Sequence, residues 1–422
     1  MNTIATDELA RRATWADRAA PRAEADALWA ALIAAAPDHP RALFALGRSR
    51  IDQGDPQGAL ELLSRAELGD PTYAEIPFFA ALAHRKLGNL PAAIAAIDRA
   101  LAIDAYFFLA QLSKGSLYEQ MGRKKAAAQT YKNAIKIAPA PEHLPRSQRA
   151  AFEHAKSAVA AYSVDLAEHL RGDVAALRAR CSESGMNRFD ESLEILAGVK
   201  PRQVHDPLLF YYPRLPAIPF YERTLFPWLA QLEAATDAIR AELDIVLRED
   251  WDKFAPYIQL PPEAPVNQWV ELNHSSLWST LFLWRDGVRQ DQVCAKCPNT
   301  AALLEQLPLA KQTGFAPTVV FSVLSPNTRI PPHTGSTNVR LLTHLPLILP
   351  PNCGFRVGND TREWRMGEAW VFDDTIEHEA WNDSGEPRAI MIFDVWNPLL
   401  SAAERELVAA MMLAFQRFNA EE

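Results

Sequence analysis

Two histidines in the C-terminal part of the chain have surroundings suited to metal binding. His333 follows a Pro-Pro pair in IPPHTGSTNVR, and His378 lies in FDDTIEHEAWN at the end of an apolar run. Neutral imidazole is a common metal ligand, and two imidazoles at strand ends on opposite sides of a small barrel can converge on one ion. Arg388 comes 10 residues after His378, and the planar fork of a guanidinium can give a buried dicarboxylate two charge-assisted hydrogen bonds. By spacing alone, the trio fits either such a site or three unrelated residues.

The residues around these histidines predict a β-rich domain. From about residue 201, proline and aromatic residues become more frequent, and a helix is predicted in LAQLEAATDAIRAELDIVL. Short strand-like runs separated by turn signals follow, a pattern typical of a sandwich or barrel. The predicted strands are TLFLWRDG, PTVVFSVL, NVRLLTHLPLIL, GFRVGN, EWRMGEAWVFDD and PRAIMIFDVW. A last amphipathic helix is predicted in SAAERELVAAMMLAFQRF.

The first third of the chain has a helical repeat of 34 residues. The repeat is marked by Gly54, Gly88 and Gly122, by two columns of small residues and by a column of large ones: Ala59, Ala93, Ala127; Ala66, Ala100, Ala134; Leu63, Ile97, Tyr131. Small residues where two helices cross, with a bulky residue filling the gap, are typical of the tetratricopeptide (TPR) repeat. We predict an incomplete repeat followed by three full ones: 8–39, 40–73, 74–107, 108–141. The alternative is an irregular bundle whose alanines only favour helix.

Longer segments around the histidines resemble a known enzyme family. His, a second His 45 residues later and Arg 10 residues after that match the order in iron(II)/2-oxoglutarate oxygenases with a double-stranded β-helix. Three segments together resemble the aspartyl/asparaginyl β-hydroxylase family, over roughly residues 205–410: PHTGSTNVRLLTHLPLILP, CGFRVGNDTREWRMGEAWVFDDTIEHEAWND and RAIMIFDVWNP. Animal members of that family also carry TPR helices before the catalytic domain, together with a membrane anchor.

The resemblance implies a fold, a division into domains and a set of cofactors. The expected architecture is an all-α TPR solenoid followed by a double-stranded β-helix (jelly-roll, cupin-like) oxygenase domain. We predict a TPR domain with capping helices, a linker and the oxygenase domain at residues 1–175, 176–204 and 205–422. The expected cofactor is Fe(II), used with 2-oxoglutarate as cosubstrate and with O2.

The resemblance also implies the roles of individual residues. It makes His333 and His378 the iron ligands, and it makes Ser322 and Arg388 the clamp on the distal carboxylate of 2-oxoglutarate. His344 is expected near the carboxylate end that chelates iron. The protein is expected to orient the reactants rather than to supply acid-base catalysis.

The expected substrate side of the site departs from the animal enzyme. Arg340, Leu342 and His344 alternate along one predicted strand and so share one face, with Arg340 expected to contact the substrate. Leu342 and Val320 stand where the animal enzyme has basic residues. With fewer cations around the pocket, the resemblance gives less support to a substrate with an acidic side chain. Gly335 stands where most such oxygenases have an acidic third ligand. Iron binding should therefore depend more on 2-oxoglutarate.

Residues close to His378 also have expected roles. We expect Asp373 and Glu377 to accept hydrogen bonds from the imidazole of His378, as carboxylates near metal-bound histidines commonly do. Among the tryptophans, Trp381, just beyond that histidine, is the candidate for a residue that lines the site.

The cysteine pair is a separate question. Cys294 and Cys297 have no second pair at zinc-site spacing, so we expect them to pack a loop at the rim of the pocket. Whether they pair, and what His274 does, stays open.

Composition excludes several classes of protein. The 422 residues carry 43 Lys and Arg against 52 Asp and Glu, a net charge of -9, without a long basic run. Nucleic acid is therefore not an expected partner. No stretch reaches the roughly 18 apolar residues that span a bilayer, and the first residues lack a signal-peptide pattern. Four cysteines fit a reducing compartment. We expect a soluble, cytoplasmic protein without an integral membrane segment.

Three functions compete at this stage. The leading hypothesis is hydroxylation of the β-carbon of a residue in a peptide or protein, presented by the concave face of the TPR array. The second is hydroxylation of a lipid acyl chain or another small molecule, since bacterial relatives include a lipid A acyl-chain hydroxylase. The third is a non-catalytic TPR adaptor with an inert barrel. The missing acidic ligand also leaves room for halide, so halogenation is a further alternative.

Overall fold

Helices packed in pairs fill the first part of the chain, as the 34-residue repeat predicts. The structure, a computed structural model, describes residues 3–181 and 186–420, and it divides into two compact units at residues 1–200 and 201–422. The helices of the first unit are α1 (Thr3–Ala19), α2 (Arg22–Ala35), α3 (Pro40–Asp52), α4 (Pro56–Gly69), α5 (Glu75–Lys86), α6 (Leu90–Ile103), α7 (Phe108–Gln120), α8 (Lys124–Lys136), α9 (Arg146–Arg180) and α10 (Asn187–Ala197).

The predicted turns between paired helices are set by glycine conformation. Gly54, Gly88 and Gly122 have φ angles of 82°, 75° and 71°, in the left-handed region that side chains disfavour. Asp55 and Asn89 then cap α4 and α6 by accepting hydrogen bonds from backbone N–H groups. Each 34-residue unit is therefore a helix, a glycine turn and a second helix.

The columns of repeated residues are buried where the helices cross, as predicted. The buried positions are Ala59, Ala93, Ala127, Ala66, Ala100, Ala134, Leu63, Ile97 and Tyr131. Small side chains let the helices approach closely, and the larger side chains fill the space between them. The structure therefore has TPR-like packing rather than an irregular bundle.

We expect Gly115→Ala to destabilise the repeats. A Cβ atom at Gly115 on α7 would overlap the ring of Tyr131 on α8, and such overpacking costs about 1–3 kcal/mol. Gly172→Ala is the control, because Gly172 lies in α9 with open space around it and alanine favours a helix by about 0.5–1 kcal/mol. Urea unfolding of the full chain, followed by its helical signal, would measure both. Equal stability of the two variants would contradict this close approach.

Helix α10 lies within the segment that we predicted as a linker, residues 176–204. Leu193 and Ala197 of this helix are buried against Ala167 of α9. Their spacing of four residues places both side chains on one helical face. This spacing indicates a helix, but the change in composition led us to predict a linker instead. Residues 182–185 of the segment lie outside the described residues.

The second unit is built from antiparallel strands and short helices. Its helices are α11 (Leu229–Ala234), α12 (Thr236–Glu249), α13 (Asp291–Lys296), α14 (Pro298–Gln306) and α15 (Ala402–Ala420). Its strands are β1 (Ala255–Pro256), β2 (Trp278–Arg285), β3 (Val288–Arg289), β4 (Val319–Leu324), β5 (Thr328–His333), β6 (Arg340–Ile348), β7 (Cys353–Val357), β8 (Asp360–Glu363), β9 (Trp370–Phe372), β10 (His378–Asn382) and β11 (Arg388–Trp396).

These strands form two antiparallel sheets. Among the described residues, the larger sheet has seven strands in the order β1-β2-β4-β11-β6-β9, with β3 paired to β2. The smaller sheet has the order β5-β10-β7-β8. Both sheets contribute residues to one cavity, so their inner faces look toward each other across it.

Strand alternation decides which residues reach that cavity. Odd-numbered residues of the larger sheet, such as Leu281, Phe321 and Met391, belong to a buried core with α11, α12 and α14. The residues of β4, β6 and β11 that line the cavity, among them Ser322, Leu342 and Ile392, are all even-numbered. Because side chains alternate along a strand, a stretch that is apolar on one face can still carry polar groups on the other.

The strands that carry the two histidines were not predicted. Pro331 and Pro332 lie inside β5, where proline is tolerated because this strand is at the edge of the smaller sheet. His378 begins β10 instead of ending the preceding apolar strand. The predicted strand EWRMGEAWVFDD is divided between the end of β8 and β9.

Candidate active site

The two predicted ligand histidines lie side by side in the smaller sheet. His333 ends β5, His378 begins β10, and the two residues are opposite each other in the antiparallel pairing. Their ring centroids are 4.1 Å apart. Directly opposed residues point to the same face of a sheet, so strand pairing brings together two rings that are 45 residues apart in sequence.

Backbone hydrogen bonds fix which nitrogen of each ring carries the proton. Nδ1 of His333 lies 2.8 Å from the carbonyl of Pro331, and Nδ1 of His378 lies 3.0 Å from that of Ile376. A carbonyl only accepts, so each Nδ1 donates and each Nε2 keeps a lone pair. Burial lowers the pKa of His333 and, together with the neighbouring His333 ring, lowers that of His378 well below its usual value. Both rings are thus held in the neutral form that can bind a metal.

Arg388 is a buried cation without a counterion in the described part of the chain. Its side chain is 1% exposed at the start of β11, and its three nitrogens have no hydrogen-bond partner among the described residues. The guanidinium lies over Trp364, 4.8 Å from the ring centroid. Burial lowers the pKa of this group to about 10. Unpaired buried donors are costly, so this position is suited to an anionic ligand.

Ser322 and His344 add further hydrogen-bonding groups to the cavity. Nε1 of Trp278 donates to Oγ of Ser322 over 3.0 Å, which leaves the serine proton free to be donated elsewhere. Nδ1 of His344 is buried and without a partner in the described part of the chain. Burial, with the charges of Arg388 and His378, lowers the pKa of His344 well below its usual value.

All six residues assigned from the sequence line a single cavity of about 540 Å³, a volume usual for small-molecule sites: Ser322, His333, Arg340, His344, His378 and Arg388. The histidine pair comes from the smaller sheet and the other four residues from the larger one. The cavity thus combines neutral imidazoles with a separate buried guanidinium.

Arg340 stands apart from the other five because it is already paired. Its guanidinium lies 3.3 Å from the carboxylate of Asp394 and donates over 3.0 Å to the carbonyl of Phe315. Both side chains are close to fully buried, at 11% and 8% exposed. Arg340 therefore lines the cavity with its charge already paired with Asp394, and its predicted contact with the substrate stays a prediction.

The space beside Gly335, the position that lacks an acidic side chain, is occupied by Asp374 from the turn before β10. A Cβ atom at Gly335 would overlap the carboxylate of Asp374, so a larger residue does not fit there. Burial, with the neighbouring Asp373, raises the pKa of Asp374 well above its usual value. Among the described residues, no group of three His, Cys, Asp or Glu side chains is arranged to hold a metal ion. Asp374 precedes His378 by four residues, and that proximity was the one sequence signal for it.

The prediction that Asp373 and Glu377 support His378 is wrong, since the Nδ1 partner is a backbone carbonyl. The carboxylate of Asp373 lies 3.1 Å from Nδ1 of His205, while Glu377 pairs with Arg356. The turn before β10 presents the carbonyl of Ile376 to Nδ1 of His378. This nitrogen is therefore already hydrogen-bonded to the backbone and does not reach either carboxylate.

The sequence did not indicate a role for His205. In the structure, its side chain connects the start of the second unit to the loop before β10. Its Nδ1 contacts Oγ1 of Thr375 at 2.9 Å, and its Nε2 lies 3.0 Å from the carbonyl of Leu215. Burial lowers the pKa of His205, but the hydrogen bond and charge of Asp373 outweigh this and raise it overall. When His205 is protonated, its ion pair with Asp373 stabilises this junction.

We expect His205 to make the stability of the second unit pH-dependent. Because its folded-state pKa is raised above the ordinary 6.5, its stabilisation is complete below pH 6.5 and disappears as pH rises through the folded-state value. A hydrogen bond to a charged group contributes about 1.5–3 kcal/mol. Urea unfolding from pH 6 upward should show a smaller loss of stability in His205→Gln than in the wild type. His169→Gln, at an exposed histidine of α9, is the control; if both variants keep the wild-type slope, the ion pair is not the cause.

Two other sequence interpretations change in the structure, and His274, whose role was left open, is also placed. Trp381 does not line the cavity, because it points to the opposite face of β10 and packs over Gly354. Cys294 and Cys297 are free and buried in the core behind the larger sheet instead of lying at the rim. His274 is exposed and contacts the carbonyl of Leu260 at 2.8 Å.

Known proteins match both parts of the chain. The profile of the family described as Aspartyl/Asparaginyl beta-hydroxylase matches residues 233–398, and Tetratricopeptide repeat profiles match residues 50–105 and 109–141. The "Ornithine lipid ester-linked acyl 2-hydroxylase" of Rhizobium tropici is 35% identical over 236 residues, which are 55% of this chain and 76% of that protein. The chain belongs to the aspartyl/asparaginyl β-hydroxylase family.

Other similarities are more restricted in length. The human "Aspartyl/asparaginyl beta-hydroxylase" is 40% identical over 136 residues, which are 32% of this chain but only 18% of that protein. The crystal structure of MamA is 26% identical and covers 32% of this chain and 82% of its own, with a TM-score of 0.27.

Membership of the β-hydroxylase family supports a hydroxylating enzyme. The TPR repeats belong to a class that generally binds proteins or peptides. No helix among the described residues is both long and apolar enough to cross a membrane.

Proposed function

We propose that this chain is an Fe(II)- and 2-oxoglutarate-dependent dioxygenase that hydroxylates an unactivated carbon. One observation carries the proposal. Two neutral, closely spaced imidazoles share a cavity with a buried guanidinium that has no hydrogen-bond partner among the residues the structure describes. In this family member, such a combination fits a metal ion and an anionic cosubstrate bound side by side.

The histidine pair fits iron through its Nε2 atoms. His333 and His378 would hold the ion, because their Nδ1 atoms are turned to backbone carbonyls. Gly335 supplies no ligand atom, so oxygen atoms of the cosubstrate would complete the coordination. Iron affinity should accordingly depend on 2-oxoglutarate.

The larger sheet fits the carboxylates of the cosubstrate. Arg388 would grip the distal carboxylate with its fork of donors, and Ser322 would add a hydrogen bond. His344, buried beside these groups, would lie toward the end that binds the metal. A carboxylate would supply the acceptors that the described residues do not provide to this buried guanidinium.

Bound iron and 2-oxoglutarate supply oxidation by O2: one oxygen atom enters a substrate C–H bond and the other enters succinate, as carbon dioxide is lost. The protein residues bind and orient the reactants. The two facing sheets are proposed to form the double-stranded β-helix of the oxygenase domain, residues 205–422, with a TPR domain at residues 1–175.

Two substrate classes follow from the names of the relatives. One is an aspartyl or asparaginyl residue, hydroxylated at its β-carbon, in a peptide or protein presented by the TPR array, as predicted from the sequence. The other is an acyl chain, as named for the Rhizobium protein. The pairing of Arg340 with Asp394 favours the second class, because it removes the cation that an acidic residue would need.

Succinate formation tests the proposal directly. The purified chain should release succinate in the presence of Fe(II), 2-oxoglutarate and O2, and it should add 16 mass units to a substrate in a lysate. No succinate under any condition would identify a non-catalytic adaptor. A chlorine isotope pattern in the product would instead identify a halogenase.

A further inference from the structure

The C-terminal helix α15 packs against the second unit through one of its faces. Val408 and Met412, four residues apart on this helix, are buried in a cluster with Val339 and Leu400. A spacing of four residues places both side chains on the same side of a helix. This buried face anchors α15 and fixes which of its other side chains point to solvent.

A second apolar face of α15 is exposed. Its large side chains are those of Leu407, Met411, Phe415 and Phe418, which are 70%, 46%, 49% and 78% exposed. Steps of three or four residues place them in a row along one side of the helix. We call this row the α15 stripe. Contiguous rows of large, exposed apolar side chains are uncommon on monomeric soluble proteins and mark interaction sites.

The proposed chemistry does not account for the α15 stripe. The match to the β-hydroxylase family ends at residue 398, whereas α15 begins at Ala402. The residues assigned to the metal and the cosubstrate all lie on strands β4, β5, β6, β10 and β11. The stripe is therefore a feature of this chain outside the family match and outside the candidate active site.

The order of side chains along α15 fits a second copy of the same helix that runs in the opposite direction. Leu407 and Phe418 lie at the two ends of the stripe, with Met411 and Ala414 between them. In an antiparallel pair, Leu407 of one copy meets Phe418 of the other, and Met411 meets Ala414, because both pairs share one centre. Large side chains of one helix then fill the gaps left by smaller ones of the other. The stripe is thus complementary to itself in this direction.

Two charged side chains favour the same direction. Glu406 and Arg417 are exposed and lie near opposite ends of the stripe. In an antiparallel pair, the end that carries Glu406 meets the end that carries Arg417, and the two-fold axis repeats this contact. In a parallel pair, each charge would lie level with its own copy. Complementary charges of this kind select the orientation of a contact more than they strengthen it.

We propose that the α15 stripe is the contact between two copies of this chain, which associate as an antiparallel, two-fold symmetric helix pair. The apolar side chains supply the association, and the Glu406 and Arg417 pairs select its direction. Four large side chains on one helix cover less surface than the roughly 800 Å² per partner of a standard stable interface. We therefore expect a dimer that dissociates at micromolar concentrations.

Sedimentation equilibrium of the full chain, without iron or 2-oxoglutarate, tests the inference. The mass should rise from 47.0 kDa toward twice that value as the protein concentration increases. Leu407→Glu should weaken association by about tenfold or more, because it places a charge inside the apolar contact. Leu68→Glu, at a leucine of α4 that is 86% exposed, is the control and should associate as the wild type does. A wild type that stays monomeric, or a dimer that Leu407→Glu does not weaken, would overturn the inference.

Exchange of the two charges tests the direction of the pair. Glu406→Arg and Arg417→Glu should each weaken association, because each variant brings like charges together across the contact. The double variant should recover association, since it forms the same pairs with the signs exchanged. Apolar surfaces that adhere without a fixed arrangement would not show this recovery. Association of the double variant that is no stronger than that of the single variants would overturn the antiparallel arrangement.

A membrane surface is the alternative occupant of the stripe, and vesicles distinguish it. Phosphatidylcholine vesicles should leave the wild type in solution when they are sedimented, because the stripe is covered by the second copy. Co-sedimentation of the wild type with the vesicles, lost in Leu407→Glu and kept in Leu68→Glu, would identify a membrane contact and overturn the inference.

Discussion

Arg388→Met is expected to abolish effective binding of 2-oxoglutarate. Removing one partner of a buried charge pair costs about 2–5 kcal/mol, or roughly 30- to 4,000-fold in affinity. The guanidinium is buried, and its nitrogens have no partner within the described residues, so the ligand carboxylate would be its main acceptor. Calorimetric titration of 2-oxoglutarate into the wild type and the variant measures the effect.

The same variant should not unfold the protein. A buried cation without a partner destabilises the ligand-free state, so Arg388→Met should melt at the wild-type temperature or above it. Arg388→Lys keeps the charge but loses the fork, and should recover only part of the affinity. Arg365→Met, at an arginine that is 83% exposed, is the control. Near-normal 2-oxoglutarate binding by Arg388→Met would place the clamp elsewhere.

Replacing both His333 and His378 with Ala is expected to remove iron binding and hydroxylation together. Mutation of a residue that only supports a metal ligand costs 10–100-fold in affinity or activity, so loss of both ligands should exceed about 100-fold. Their Nε2 atoms are the neutral imidazole donors that β5 and β10 bring together. Co(II) absorbance and iron retained after desalting measure binding independently of turnover.

Two controls make the result specific. His169→Ala, at an exposed histidine of α9, should keep full iron binding and turnover. In the wild type, iron should be held more tightly when 2-oxoglutarate is present, because two protein ligands leave most of the coordination to other groups. Full iron retention in the double variant, with or without 2-oxoglutarate, would show that the metal is bound at another place.

Local patterns account for the parts of the fold that the sequence predicts well. The 34-residue repeat places Gly54, Gly88 and Gly122 in turns. Each turn needs a left-handed backbone conformation, which glycine adopts more easily than other residues, so the same residue recurs in every repeat. Alternation along the predicted strands placed Arg340 and His344 on one face, as the cavity lining shows. These features depend on neighbours within a few residues, which a sequence displays directly.

The strands that carry the histidines could not be read in the same way. Pro331 and Pro332 argue against a strand unless it lies at a sheet edge, and edge position is a property of the assembled sheet. The turn before β10 likewise decided that His378 would donate to a carbonyl and not to Asp373.

The order of residue types along the chain is enough to predict the helical repeat, the β-rich second half and the side chains available for a metal and a carboxylate. Which of the charged side chains are free depends on the folded chain. Arg340 is neutralised by Asp394, 54 residues away, whereas Arg388 is left without a partner among the described residues. Both are arginines on inner faces of strands, and their difference arises from packing between segments far apart in the chain. The free energy of a buried charge depends on such neighbours and on exclusion of water, and spacing along a sequence encodes neither.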